Sequence, residues 1–356
     1  MFNINQTIAN ARTLPAEFYL SDDFFDRTKE RIFHKASHYI GSSSALVDHQ
    51  YIPHTILPDF LNEPVIIIKD QQDQLSVMSN VCTHRGNLLV TEAGRDPILR
   101  CGYHGRCFGR DGRCRSMPGF EGVEDFPSPS DDLRKYDTYQ LGPMLFASLN
   151  GGNYMEKAFA EIAKRMSGYR FDDLKYAASL QQKFELDAHW ALYVDNYLEG
   201  FHVPFVHPGL NASLSMDEYH YETFDYHNLQ LGIGNSDEAC IELSPSSPEF
   251  GRNVFAYYWW VWPNLMINCY PWGVSLNLIQ PVAKNKTRIL FETYLFDLSS
   301  KSEVEASMIR QTELEDEEIV LQVQKGIESS AYVQGKYSPT HERCVHHFHQ
   351  LIAKAL

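Results

Sequence analysis

The apolar positions of the chain fall into blocks of different texture. Residues 16 to 38 predict a helical segment, with Phe18, Phe24, Phe25 and Ile32 supplying its apolar contacts. From about Tyr39 to Leu149 the pattern changes to short apolar runs separated by turn residues. Val65-Ile66-Ile67-Ile68 reads as a buried strand and Asp111-Gly112 as a hairpin turn. Residues 153 to 177 return to mixed helix. From Leu180 onward strands alternate with one helix, Trp190 to His202. The aromatic run Tyr257 to Trp262 and the run Val274 to Val282 predict adjacent strands of one sheet, and Ser302 to Ala331 predicts a single long helix. The expected fold class is α+β: a helical segment over 1–38, an all-β domain over 39–150, and a domain over 151–356 in which an antiparallel sheet is closed by a long C-terminal helix.

The 356 residues suffice for two domains. A formal charge of −15 argues against a nucleic-acid binder and favours cationic over anionic partners. Met1 to Leu20 lacks the basic and apolar regions of a secretory signal. Phe255 to Ile267, the longest apolar candidate, is broken by Pro263 and Asn264, so no membrane span is expected. Seven cysteines spread over a long chain do not form a small disulfide scaffold. A reduced, cytoplasmic protein with a metal use for some thiols is the expectation.

Cys82-Thr83-His84 is followed, after sixteen residues, by Cys101-Gly102-Tyr103-His104. Two Cys-plus-His pairs in a β domain suit a [2Fe-2S] centre in which thiolates hold one iron and neutral imidazoles the other. Gly86 and Gly105 lie just beyond each pair, where a missing side chain lets backbone N–H groups approach the cluster sulfurs. A structural zinc site is the first alternative, although zinc fingers place a Cys pair before a His pair. Four unrelated core residues is the second.

The segment from Asp195 to His207 carries a second constellation. Asp195, Glu199 and His202 are spaced to share one helical face, and Pro204 interrupts the helix so that His207 can fold back beside His202. Two imidazoles and a carboxylate form the facial triad of non-haem Fe(II) oxygenases, with positions open for O₂. The acidic stretch Glu313 to Glu318 can supply the carboxylate, although its ordinary reading is a solvated face. Ile309, Asp316, Val320, Val323 and Ile327 share one helical stripe; Glu313 lies at its edge, while Glu315, Glu317 and Glu318 point away. An acid within an apolar stripe is costly unless paired or bound to a cation, which selects Asp316.

The Cys-x-His and Cys-x-x-His pairs resemble those of Rieske iron–sulfur proteins. Respiratory Rieske proteins carry an extra cysteine in each loop, whereas this chain has Asn87 and Tyr103 near those places. Cys107, Cys114, Cys240, Cys269 and Cys344 are expected to be packing residues. Trp190 to Pro208, the pattern Asp316…Val323-Gln324-Lys325-Gly326 and the ending Ser338-Pro339-Thr340-His341-Glu342-Arg343 extend the resemblance to Rieske non-haem iron oxygenase α subunits, the aromatic-ring-hydroxylating dioxygenase family. Val194 to Gly200 and Trp262-Pro263-Asn264-Leu265-Met266 are similar to the choline, glycine betaine and carnitine monooxygenase-like group. The resemblance implies a Rieske domain followed by a helix-grip-like catalytic domain. It also implies Cys82, His84, Cys101 and His104 as cluster ligands, and His202, His207 and Asp316 as ligands of a mononuclear Fe(II). Glu199 stands at the position of the acid bridging a cluster histidine and an iron histidine. Many relatives have Asp there.

The same resemblance implies electrons from NAD(P)H through a separate flavin reductase, with or without a ferredoxin. It further implies electron transfer between neighbouring subunits of a homotrimer and oxidation of a small substrate, a quaternary amine in this group. Aromatic-ring dihydroxylation and pure electron transfer are the alternatives. Asn196 is expected either beside the iron or capping local backbone. The aromatic run 257–262 reads as core before it reads as a cage for an ammonium group. The histidines at 341, 346, 347 and 349 read as packing in a terminal helix.

Overall fold

Val65-Ile66-Ile67-Ile68 forms the middle of a strand whose two faces are both covered, which is why its apolar run does not alternate. The computed structural model describes residues 2–70, 72, 74–235, 238–299 and 302–356, and side chains at 302–310 lie outside the description. The chain divides into two compact units, residues 35–152 and residues 1–34 with 153–356.

In the first unit, β1 (Ser37–Ser42), β2 (Tyr51–Ile56), β3 (Glu63–Lys69), β4 (Leu75–Ser79), β5 (Ile98–Arg100), β6 (Cys107–Gly109), β7 (Cys114–Ser116), β8 (Lys135–Leu141) and β9 (Met144–Ser148) make two antiparallel sheets. Their orders are β1-β9-β8-β4-β3-β2 and β5-β6-β7. Gly112, at φ +80°, makes the turn between β6 and β7 that Asp111-Gly112 predicts. Ile66, Ile68, Met78, Leu99 and Phe108 pack into one core that also contains Cys82 and Cys101.

The second unit contains α1 (Ala16–Leu20), α2 (Asp22–Arg31), α3 (Tyr154–Arg165), α4 (Trp190–Tyr197), α5 (Val203–Val206), α6 (Pro208–Ser213), α7 (Ser302–Ile327) and α8 (Arg343–Ala355). Its antiparallel sheet has strands β10 (Lys175–Tyr176), β11 (Gln182–Leu186), β12 (His220–Thr223), β13 (His227–Ile233), β14 (Val254–Val261), β15 (Leu265–Tyr270), β16 (Gly273–Ala283) and β17 (Lys286–Leu295). The order is β10-β17-β16-β15-β14-β13-β12, with β11 also on β17. No described helix is long and apolar enough to cross a membrane.

Several expectations need correction. The N-terminal helices end at Arg31 and a 3₁₀ turn covers Phe33–Lys35, so Ser37 and His38 begin a strand. The aromatic run and Val274–Val282 are not adjacent, because Trp262-Pro263-Asn264 turns the chain into β15, which lies between β14 and β16. The long helix stops at Ile327, short of Ala331. Its buried face carries Val320, Gln324 and Ile327, whereas Val323 is exposed and the side chain of Ile309 lies outside the described residues. Gln324 shifts the buried face round by accepting the His189 backbone N–H at 2.9 Å, which leaves Val323 at its rim.

Even-numbered residues of β14 share one face. Trp260 and Trp262 pack edge-on or tilted against Phe348 of α8, with centroids 5.4 and 6.2 Å apart, while odd-numbered Trp259 turns to Met166 at the end of α3. The run is thus largely core, as its spacing indicates. Further along the same face, Tyr258 borders a cavity.

Candidate metal centres and substrate chamber

Two loops of the β unit repeat one backbone pattern. The Cys82 N–H donates to the Asn87 carbonyl and the Cys101 N–H to that of Arg106, both at 2.8 Å. Gly86 and Gly105, at φ +74° and +76°, return their N–H groups to the Cys82 and Cys101 carbonyls at 3.0 Å. The glycine N–H groups therefore close the loops and do not reach the thiols. The N–H groups that do approach sulfur belong to His84, on Cys82, and to Tyr103 and His104, on Cys101. The Asn87 amide adds a donor to Cys101 Sγ at 3.6 Å.

Burial pushes the Cys82 thiol up. Burial acts likewise on Cys101 but is outweighed by the Tyr103 N–H, the Cys82 thiol and the further donors, which hold it below its ordinary value. The His84 and His104 rings lie 4.9 Å apart at 80°. His104 Nδ1 is buried and has no hydrogen-bond partner among the described residues. A buried imidazole nitrogen without a partner, two adjacent thiols and N–H donors on those thiols form a donor set that fits a cluster with two sulfur and two nitrogen ligands.

The second site is built where α4 gives out. The helix ends at Tyr197 and not at His202: Gly200 is a poor helix former, and the Pro204 ring would clash with its carbonyl. Pro204 lies at the start of α5 and Pro208 at the start of α6, so each opens a helix. His202 and His207 consequently flank one short turn. Their Nε2 atoms are 3.1 Å apart, and Asp316 Oδ1 on α7 lies 3.0 Å from His207 Nε2 and 3.5 Å from His202 Nε2. Donors about 2.1 Å from one ion at right angles stand roughly 3 Å apart, so the triangle fits a divalent metal held on one face.

Each imidazole presents its other nitrogen to a carboxylate. His202 Nδ1 lies 2.5 Å from Glu199 Oε1, and the His202 backbone N–H donates to Glu199 Oε2 at 3.0 Å. His207 Nδ1 lies 2.8 Å from Glu315 Oε2. Such pairs fix ring orientation and raise ligand basicity. Burial opposes charge on His202, but Asp316 and Glu199 outweigh it and hold the imidazole at about 10. His207 is raised by the same balance, through Asp316 and Glu315, and Asp316 is held low by both imidazoles despite burial.

Glu315 is the residue that helical-stripe reasoning missed. It does point away from the Asp316 direction, yet that takes it to the far nitrogen of His207 and not to solvent. Asp195 departs from expectation as well. It faces away from the triad, accepting from Tyr19 at 2.8 Å and pairing with His349 Nε2 at 2.7 Å. Tyr337 in turn lies 2.6 Å from His349 Nδ1. His341 stacks on Phe201 at 4.7 Å, and His346 pairs with the Asn5 carbonyl.

A cavity of about 510 Å³ opens beside the triad, and Asn196, Glu199, His202, His207 and Asp316 line it. Its other walls include Tyr219, Tyr258, Tyr270, Trp272 and Glu313. Tyr270 and Trp272 stack 4.9 Å apart at 12°, and Tyr258 meets Tyr270 edge-on at 6.0 Å. Burial, then the Asp316 charge, pushes Glu313 up to about 8 against the hydrogen bonds from Tyr193 and Asn277.

Residues 171–356 match the family described as ring hydroxylating alpha subunit (catalytic domain), and residues 41–127 match the Rieske [2Fe-2S] domain. These matches define a class, the Rieske-type oxygenases, oxidoreductases that incorporate O₂ and carry a [2Fe-2S] cluster and a mononuclear iron. As the first match spans more than half of the chain, the protein belongs to the ring hydroxylating alpha subunit family. It is 26% identical to the chloroplastic choline monooxygenase of Spinacia oleracea, over 98% of this chain and 79% of that one. It is 29% identical to the carnitine monooxygenase oxygenase subunit of Acinetobacter pittii (strain PHEA-2), over 90% and 87%. The structure of the quaternary ammonium Rieske monooxygenase CntA in complex with L-carnitine superposes with a TM-score of 0.78 at 25% identity, covering 100% of this chain and 99% of that one.

Proposed function

We propose that this chain is the terminal oxygenase component that hydroxylates or N-demethylates a small quaternary amine. The observation that carries this reading is the 510 Å³ cavity, which brings the His202, His207 and Asp316 donors to the same space as an aromatic and acidic wall. The names of the relatives agree with it. In this reading Cys82, His84, Cys101 and His104 would hold the [2Fe-2S] cluster, and His202, His207 and Asp316 would hold Fe(II). When bound, these groups supply single electrons and activate O₂.

The chain's own residues do the rest. Glu199 keeps the His202 Nδ1 proton and fixes the ring, and we assign it as the bridging acid toward a cluster histidine of a neighbouring subunit. Glu315 does the same for His207 without a bridging part. Asn196 lies along the cavity wall near the metal. The apolar and aromatic lining excludes water from the reacting methyl group. Hydroxylating an N-methyl carbon gives a product that releases formaldehyde, whereas hydroxylating another carbon leaves an alcohol or aldehyde.

The working unit in this proposal is a cytoplasmic homotrimer, with heterologous contacts between like subunits and a separate NAD(P)H-dependent reductase. The test is O₂ uptake and formaldehyde release with NADH and a surrogate reductase across choline, glycine betaine, carnitine and proline betaine. Amine-stimulated O₂ uptake, with or without formaldehyde, supports the reading. A cis-diol from an aromatic hydrocarbon, without response to any amine, overturns it.

A further inference from the structure

Among the described side chains that line the cavity, the charged ones besides the histidines are all acids: Glu199, Glu238, Glu313, Glu315 and Asp316. Four of them lie close to the metal site, and their uses differ. Asp316 faces both imidazoles, so it is the counter-charge of the metal. Glu199 and Glu315 are each occupied by an imidazole nitrogen. Glu313 touches neither histidine. It is the carboxylate that the metal site leaves unused.

Two side chains donate to it, against the burial and the Asp316 charge that disfavour its charged form. The Tyr193 hydroxyl donates to Glu313 Oε2, and Asn277 Nδ2 donates to Oε1 at 3.1 Å. Behind Asn277 the donors run in one direction: Tyr197 to Asn268 at 2.7 Å, then Asn268 to Asn277 at 3.2 Å. A file of hydroxyl and amide dipoles aimed at one carboxylate favours its charged form. Glu313 is half-buried and lines the cavity, whose described lining holds no Lys or Arg to answer it. A half-buried carboxylate facing a cavity without a basic partner favours a cation there.

The aromatic wall fits the same demand. Tyr258, Tyr270 and Trp272 present clustered rings to the same cavity, a surface that attracts methylated ammonium groups. Glu313 precedes Asp316 by three helical positions, so their Cβ atoms stand about 5–6 Å apart. A cation seated at Glu313 therefore has its methyl or neighbouring carbon beside the metal.

We infer that the substrate is a quaternary ammonium ion bearing no carboxylate, an amino-alcohol type of cation and not a zwitterionic betaine, and that Glu313 is its counter-charge. This rests on the amine-oxygenase reading and narrows it. The negative cavity wall that attracts the ammonium end of a betaine also repels its carboxylate, for which the described lining offers no basic partner.

The test is calorimetric binding to the iron-loaded full-length protein, with choline as the cation, glycine betaine and L-carnitine as zwitterions, and 3,3-dimethyl-1-butanol as the uncharged isostere of choline. Choline is expected to bind at least about tenfold more tightly than any of the other three. In E313Q the choline advantage over the isostere collapses, while affinity for the isostere holds within about twofold. The wild-type panel needs no variant, so a poorly folding E313Q leaves the proposal exposed. Betaine or carnitine binding as tightly as choline overturns the inference alone and leaves the amine reading in place. Oxidation of an aromatic hydrocarbon with no amine bound overturns both.

Discussion

The cluster loops and the mononuclear site solve the same problem, the holding of a metal by four or three side chains, at opposite ranges of sequence. In the β unit each loop is closed by its own backbone: the Cys N–H reaches five residues on and a left-handed glycine returns to the Cys carbonyl. Outside the loops, Asp131 braces them by accepting from Thr83 and pairing with Arg106. In the catalytic unit the histidines come from one turn, but Asp316 and Glu315 arrive on α7, more than one hundred positions later. That site exists only after α7 has docked. Local backbone geometry closes each cluster loop, whereas only tertiary assembly brings the mononuclear donors together.

The largest predicted effect attacks the long-range side. Asp316→Ala removes the residue that joins α7 to both imidazoles and should abolish turnover, with loss of the mononuclear iron by metal analysis and an unchanged cluster spectrum. Retention of that iron would remove Asp316 from the ligand set. Glu199→Gln is milder in structure but severe in function: both metals stay bound while turnover falls by about 10²–10³-fold. Wild-type rates would show that Glu199 carries neither the ring orientation nor the bridge.

Glu315→Gln separates orientation from ligation, lowering iron affinity about 10–100-fold in competition with a chelator and sparing the cluster. On the local side, Gly86→Ala and Gly105→Ala each force an L side chain into the left-handed region at a cost of about 1–2 kcal/mol. The two should cost alike, since the new Cβ of Gly105 meets Pro118 only at an ordinary 3.4 Å and that of Gly86 meets nothing. The expected readout is faster loss of the cluster on warming, without loss of mononuclear iron.

A pH slope tests the same donors without any substitution. In the metal-free protein His202 is raised from 6.5 to about 10. Its contribution is full below the unfolded value and is lost as pH rises from about 6.5 through 10. Thermal melts of the metal-free protein should therefore fall across that window, and iron, which takes the place of the proton, should flatten the slope. Parallel slopes with and without iron would argue against the shared role of these donors.

What could be read from sequence follows the same division. Cys82, His84, Cys101 and His104 announce themselves because their chemistry is packed into two short motifs. His202 and His207 do so because a proline-punctuated turn holds both. Asp316 was reachable from the cost of burying an acid. Glu315 was not, since helical angle alone says which way a side chain leaves the axis and not which partner waits there. The same limit hid the turn away of Asp195, whose partners Tyr19 and His349 lie at opposite ends of the sequence. The order β14-β15-β16 is not legible in the sequence because a six-residue strand fits inside what reads as a connection.

The threading of the two units has a consequence for how the protein matures. Residues 35–152 are continuous, whereas the other unit is made of residues 1–34 and 153–356. The Ala16 N–H donates to the Val333 carbonyl at 2.7 Å, and Tyr19 shares Asp195 with His349, so α1 needs partners made more than three hundred positions later. A growing chain therefore completes the cluster-bearing unit while α1 and α2 are still without their partners and Asp316 has yet to be made. Residues 35–152 carry all four proposed cluster ligands and need nothing from α7, whereas the mononuclear site is complete only once Asp316 has been made.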